Sequence, residues 1–329
     1  MYNTVLLFIF GLLLLIKGGD WFVDGATAIA RRARVPELLI GATVVSIGTT
    51  LPEVMVSATA AIGGQGAMAY GNAVGSIICN TALIAALTIA VRPATADRHA
   101  LVVPVCFFFG SAALYVTVAY AGGYFSRAVG FSLLGIFAVY MALQVVSARR
   151  AMASGIPAEA EEAIEEGTAG GKNAILLEIA KLVGGAGLIA VGADLLVDNG
   201  TLIAVALNVP EAVIALTFVA IGTSLPELVT AITSLLKGHG ALSLGNIIGA
   251  NIFNLVLVSG LATTLSPFHL PAGNTILGVN ASLLVDLPVM LAVMAIMTLP
   301  ALFVGRLRRW QGYTLLGIYA AFFTVQFIL

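Results

Sequence analysis

Ten apolar runs, each near the roughly 20 residues an α-helix needs to cross a bilayer, fill almost the whole of this chain. They lie at 4–30, 38–62, 68–90, 100–120, 127–147, 174–204, 212–236, 242–264, 281–300 and 312–329. Backbone in hydrocarbon has to satisfy its polar groups internally, and a helix does so within one segment. The expectation is an all-α integral membrane protein of ten transmembrane helices. Composition agrees: 60% of the 329 residues are hydrophobic and 9% charged, against about 25% charged in an average soluble domain. The first run, YNTVLLFIFGLLLLIKGG, has the apolar core of a secretory signal but no basic residue before it. Its counterpart at 174–204 is internal, so it reads as a retained helix.

Basic residues orient the spans, because cytoplasmic loops carry an excess of Lys and Arg. Arg31, Arg32, Arg34, Arg92, Arg98, Arg149, Arg150, Lys172, Lys237, Arg306, Arg308 and Arg309 fall in alternate connections; only Arg127 falls in the other set, and Lys17 and Lys181 lie within spans. This pattern predicts a multi-pass protein of the cell (inner) membrane with both termini outside. The Gly-, Ala- and Glu-rich linker 149–173 is then cytoplasmic. It has no apolar stripe and no room for a folded domain.

The chain is one unit used twice. Residues 46–53 read SIGTTLPE, and 174 places later residues 220–227 read AIGTSLPE. At the same offset Asp20 and Asp24 map to Asp194 and Asp198, Pro36 and Glu37 to Pro210 and Glu211, Gly71 and Asn72 to Gly245 and Asn246, and Asn80 to Asn254. The halves are a first repeat, 1–148, and a second, 174–329. Five spans per half is an odd number, so the second copy enters the membrane from the opposite side. Inverted repeats recur in secondary transporters, with the substrate site near the midplane where the copies meet.

The repeated octapeptide places a proline and an acid inside two apolar spans. Pro52 has no N–H to give to Gly48, and Pro226 none for Gly222, so helices 2 and 7 are expected to be broken at the core. Carbonyls released in this way survive in a membrane only when buried in protein or facing a filled cavity. Thr49 and Glu53, like Thr223 and Glu227, stand four residues apart on one helix face. A lone proline is ordinarily just a kink, but an intramembrane carboxylate costs about 2.5–3.5 kcal/mol and marks a functional site by default. Two carboxylates meeting at a repeat interface repel unless a proton or a cation lies between them. The donors are all oxygens, with no His or Cys at the motifs, which suits a hard cation such as calcium or sodium.

The following spans add amides. In YGNAVGSIICN, Asn72, Ser76 and Asn80 share one face, and Gly71 and Gly75 form a G-x-x-x-G that permits close helix approach. LGNIIGANIFN repeats this with Gly245, Asn246, Gly249 and Asn254, but carries Ala250 in place of the serine. Amide faces also serve simply to bond neighbouring helices, and that role stays open for all four asparagines, more so for Asn72 and Asn246 than for Asn80 and Asn254. Asp20, Asp24, Asp194 and Asp198 suit capping or loop pairing. Asp286 is intramembrane and has no assigned role. His99, His239 and His269 fall at helix ends or loops, and Cys79 and Cys106 read as buried small residues.

GTTLPE and GTSLPE, each followed by a G-N-x-x-G segment ending in Asn, resemble the two α-repeats of the cation/calcium antiporter superfamily, closest to its sodium/calcium exchanger branch of prokaryotic type. The resemblance implies an antiporter rather than an enzyme. Calcium and sodium are its transported ions, and neither a cofactor nor an obligate protein partner is needed. It implies Glu53 and Glu227 as the central calcium ligands, with the backbone oxygens of Thr49 and Thr223. Flanking sodium sites would involve Ser46, Thr50, Ser76 and Asn80 in the first repeat, and Ala220, Thr223, Ser224 and Asn254 in the second. The long first and sixth helices would slide across a fixed core. Relatives carry Asp at the position of Asn254, among them the potassium-dependent exchangers, and Ser or Thr at Ala250. Those departures argue against potassium dependence and weaken one sodium site. The proton/calcium branch tends to show G-N-A-x-E in place of the proline motif, and is the alternative.

Overall fold

The computed structural model describes residues 2–33, 35–93, 95–154, 172–206, 222–271, 275–276 and 278–328. Arg34, Pro210, Glu211, Ala220, most of the 149–173 linker and the first half of the seventh span lie outside the described residues. The helices are α1 (Tyr2–Ala33), α2 (Glu37–Ile62), α3 (Gly66–Val91), α4 (Arg98–Tyr120), α5 (Arg127–Ser154), α6 (Lys172–Ala206), α7 (Leu225–Leu236), α8 (Gly240–Leu265), α9 (Ser282–Val304) and α10 (Arg309–Ile328). Eight of them, all except α7 and α10, are long and apolar enough to cross a membrane. Large apolar side chains such as Leu13, Phe131 and Phe303 are exposed, as a lipid-facing surface requires. Two antiparallel ladders of two residues each depart from the all-helical expectation. They pair Tyr124–Phe125 with Phe268–His269, and Thr275–Ile276 with Val279–Asn280. Short connections there satisfy their backbone groups by pairing instead of coiling.

Among the described residues four helices contain a π-turn: Gly41–Val45 in α2, Asn80–Ala85 in α3, Asn254–Val258 in α8 and Ser282–Asp286 in α9. Such turns are rare and frequently mark functional sites. Those of α3 and α8 open at Asn80 and Asn254, residues 174 apart, so the repeat is written in backbone geometry as well as in sequence. The first proline behaves differently from expectation. Helix α2 is unbroken through Pro52, because a proline deletes one hydrogen bond and a membrane helix tolerates that loss when its neighbours hold it. The irregularity lies upstream, in the π-turn, where the Ser46 hydroxyl donates to the Gly41 carbonyl at 2.8 Å.

The chain forms two compact units, residues 1–49 with 144–246 and residues 50–143 with 247–329. Each draws on both halves of the sequence.

In the first unit α1 and α6 run antiparallel in backbone contact. A Cβ added at Gly18 would stand 2.9 Å from the Gly185 carbonyl oxygen, and one at Gly192 would stand 2.8 Å from that of Gly11. Gly11 and Gly18 are the 174-offset counterparts of Gly185 and Gly192, so this pairing is symmetric only if the two copies point in opposite directions. Small residues at this step are what bring membrane helices together. Arg32 forks onto Glu178, Nε to Oε2 at 2.9 Å and Nη2 to Oε1 at 2.8 Å. Lys237, just past α7, reaches Asp24 Oδ1 at 2.7 Å and Asp20 Oδ1 at 3.2 Å, a loop pairing of the kind those acids suggested. The position equivalent to Lys237 in the first repeat is Gly63, and Asp194 and Asp198 are exposed.

In the second unit α10 lies against α3, where a Cβ at Gly312 would stand 2.6 Å from the Ala90 nitrogen. Buried Gln311 donates to the carbonyls of Ile296 at 2.8 Å and Met297 at 3.2 Å. Gln326 donates to Asp286 Oδ1 at 2.7 Å, giving that intramembrane acid a polar neighbour. Cys79 is buried, but Cys106 is exposed. The reading of both as buried fails at Cys106 because α4 is apolar on every side, so hydrophobicity does not separate a protein-facing from a lipid-facing position.

Candidate cation-binding residues

Two polar stripes run along otherwise apolar helices. On α2, Ser46, Thr49, Thr50, Glu53 and Ser57 recur at steps of one to four residues, and all are buried. From the cap of α7 onward, Ser224, Glu227, Thr230 and Ser234 recur at three to four, and all are fully buried. Residues so spaced share one helix face. Glu53 and Glu227 are both 0% exposed, a costly place for a carboxylate unless charge or hydrogen bonds compensate it. Thr223 is half-buried in the turn before α7, and Ala220 lies outside the described residues. Sequence reading missed Ser57, Thr230 and Ser234. The signal for them was available, since each continues its stripe by one helical step.

The second proline does what the first does not. Helix α7 begins at Leu225, with Pro226 and Glu227 in its first turn. Ser224-Leu-Pro-Glu227 has the sequence of a capping box, in which the serine would accept from a backbone N–H of the first turn. That bond is not made: Ser224 has φ −92° and ψ 8°, and its hydroxyl has no hydrogen-bond partner among the described residues. The hydroxyls of Thr230 and Ser234 are likewise without one. A mid-helix hydroxyl ordinarily bonds back to the carbonyl four residues earlier, so this face keeps its oxygens open.

The amides divide into two kinds. In the first unit the Asn246 side-chain oxygen accepts from Thr49 Oγ1 at 3.1 Å and faces Ser46 Oγ at 3.3 Å, whose other acceptor on that residue is the backbone oxygen at 3.0 Å. In the second unit Asn72 donates to the Glu53 carbonyl at 3.2 Å and to Ser57 Oγ at 2.8 Å. Both asparagines therefore tie helices together, the role left open for them. Asn80 and Asn254 differ: each is 0% exposed, each opens a π-turn, and neither amide oxygen nor nitrogen of either has a partner among the described residues. A buried amide left so costs about 1–3 kcal/mol per unmet group. Ser76, one turn before Asn80, is buried.

The glycines of the same segments also differ. Gly245 is held against the Leu38 backbone carbonyl, the close approach its motif predicts. At Gly71 and Gly75 no described atom lies within 4 Å of where a Cβ would be, so in the first copy the expected close contact is not made among the described residues. No cluster of three or more His, Cys, Asp or Glu side chains occurs among the described residues. The buried donors on these faces, one carboxylate each with hydroxyl and amide oxygens, are of the kind that suits a hard ion.

The family profile described as sodium/calcium exchanger protein matches residues 3–146 and 178–328. Inner membrane protein YrbG of Escherichia coli is 40% identical over 269 residues, covering 81% of each chain. An uncharacterised membrane protein of Methanocaldococcus jannaschii is 35% identical over 319 residues, covering 95% of this chain and 94% of that one. A solved structure of the sodium-calcium exchanger NCX_Mj, soaked with Na+ and Sr2+, superposes with a TM-score of 0.78 at 30% identity and covers 97% of both chains.

Proposed function

This chain belongs to the sodium/calcium exchanger family, and on that premise we propose that it is a secondary antiporter exchanging sodium for calcium across a membrane by alternating access. The observation that carries the reading is the complete burial of Glu53 and Glu227, each on a face lined with hydroxyls. In this reading the carboxylates, with the backbone oxygens of Thr49 and Thr223, hold calcium. Ser46, Thr50, Ser76 and Asn80, and Ala220, Thr223, Ser224 and Asn254, supply the flanking sodium sites. Support for the sodium residues comes from the open oxygens of Ser224, Asn80 and Asn254. Ser46 has its hydroxyl engaged with Gly41 and Asn246, so its contribution requires that bond to be exchanged for one to the ion.

Exchange follows from charge. Two carboxylates balance one divalent ion, and several sodium ions rebinding at overlapping oxygens displace it. The antiparallel pairing of α1 and α6 through symmetry-related glycines supports ten spans arranged as two inverted five-helix repeats, 1–148 and 174–329, and the Lys and Arg distribution supports a cytoplasmic linker 149–173 with both termini outside. YrbG, named as an inner membrane protein, supports the same location for this chain.

The test is flux in proteoliposomes loaded with sodium and diluted into sodium-free medium, following labelled calcium uptake. Sodium-driven uptake is expected. Uptake that ignores sodium and follows an imposed pH gradient would establish proton/calcium antiport instead, and flux without any counter-ion requirement would mean a channel.

A further inference from the structure

In the second unit one buried hydrogen bond joins the two helices that carry the open asparagines. Asn251 of α8 donates through Nδ2 to Thr81 Oγ1 of α3 at 2.7 Å and lies 3.2 Å from Met294 Sδ of α9. The Thr81 hydroxyl is 2.8 Å from the Ile77 carbonyl, its acceptor one turn back. Both Asn251 and Thr81 are 0% exposed. Thr81 is the second residue of the π-turn that Asn80 opens, and Asn251 stands three residues before Asn254, which opens the other. A π-turn interrupts the regular ladder that would otherwise set side-chain rotation, so its first residue needs an anchor outside its own helix. The bond between Asn251 and Thr81 ties the α3 turn to a residue one helical step before the α8 turn.

We propose that Asn251 and Thr81 are a positioning pair: their bond sets the separation and rotation of the Asn80 and Asn254 amides, and through them the affinity for the monovalent counter-ion rather than for calcium. This rests on Asn80 and Asn254 being sodium ligands, as proposed above. Residue 77, the first-repeat equivalent of Asn251, is isoleucine, so the sequence repeat supplies the clamp only once. Neither residue needs to touch an ion. Removing the bond lets the amides rotate, which a hydroxyl- and amide-based sodium site registers. The carboxylate-based calcium site, whose ligands lie on α2, on α7 and in the turn before α7, does not.

The experiment uses the full chain in proteoliposomes, with Asn251→Ala, Thr81→Val, the double variant and Thr81→Ser, and measures half-saturating sodium and the KM for calcium side by side. Loss of one buried hydrogen bond predicts a rise in half-saturating sodium of about fivefold to tenfold in each single variant, with the calcium KM moving less than about twofold. The double variant matches the singles instead of multiplying them. Thr81→Ser, which keeps the hydroxyl, restores the sodium dependence. If Asn251→Ala does not assemble, Thr81→Val carries the test alone, being close in shape to the residue it replaces. Sodium and calcium constants that rise together, a double variant whose effects multiply, or no change in half-saturating sodium would each overturn the assignment. Absence of sodium-driven flux in the unaltered protein is a separate result, which removes the sodium reading itself and this inference with it.

Discussion

GTTLPE at residues 48–53 and GTSLPE at 222–227 differ at one position, yet their backbones differ in kind. The first lies inside α2, which stays helical through Pro52. The second straddles a turn at Thr223 and Ser224, and α7 starts only at Leu225. A proline in the first turn gives up an N–H that would have had no intrahelical partner, whereas one inside a helix strips a carbonyl of its donor. The acids inherit the difference. Glu227 sits in the first turn of α7, at the positive end of the helix dipole, a position where an acidic side chain stabilises a helix by about 0.3–1 kcal/mol. Glu53 is in the body of its helix, without that help, and its backbone carbonyl takes the hydrogen bond from Asn72. Equivalence in sequence therefore does not make the two carboxylates electrostatically equivalent.

Substitutions at four positions would break or sharpen that comparison. The largest effect is expected from Glu53→Gln and Glu227→Gln, each lowering calcium flux in proteoliposomes by about a hundredfold or more, as loss of about 3 kcal/mol of ligand energy implies; full flux in either variant would take that residue out of the site. With Asp in place of Glu, the comparison expects more residual flux at 227 than at 53, because the dipole still favours a charge there. Next come the prolines, followed by thermal unfolding in detergent. Pro52→Ala should stabilise α2 by up to about 3 kcal/mol, while Pro226→Ala changes little, since first-turn proline is tolerated. Equal shifts would mean that the two helices are built alike after all.

Smaller again are the helix ties. Asn72→Ala and Asn246→Ala should each cost about 1–2 kcal/mol of stability, and Asn246→Ala combined with Thr49→Val should cost less than the sum, because both remove one bond. Strict additivity in denaturation midpoints would contradict the Thr49 to Asn246 contact. The smallest change belongs to Lys237→Ala. Its ion pairs with Asp20 and Asp24 are partly exposed, so the loss should stay within about 1 kcal/mol and fade at high salt.

Much of the helical order was legible in the chain. Among the described residues, eight of the ten apolar runs appear as helices of spanning length and composition, because hydrocarbon leaves few other ways to satisfy a backbone. The offset of 174 residues was readable too, and it reappears in the π-turns at Asn80 and Asn254 and in the glycines that join α1 to α6. Less legible was the fate of each polar residue. Asn72, Asn80, Asn246 and Asn254 look alike in their motifs, but two are engaged with hydroxyls and a carbonyl and two are left open. Asn251 and Thr81 gave no repeat signal at all, since the counterpart of Asn251 is Ile77.

The amino-acid sequence by itself determined the solvent, the helices, the repeat and the acids, since each follows from local composition or from spacing along one chain. Tertiary structure alone decided that Pro52 bends no helix to breaking while Pro226 opens one, that Cys106 faces outward, and which amides are left without a partner among the described residues. The physical reason is that a helix in lipid can be apolar on every side, so periodicity no longer distinguishes its faces. Where a buried polar atom finds its partner depends on which distant helix arrives beside it, as Asn246 does beside Thr49 across 197 residues of chain.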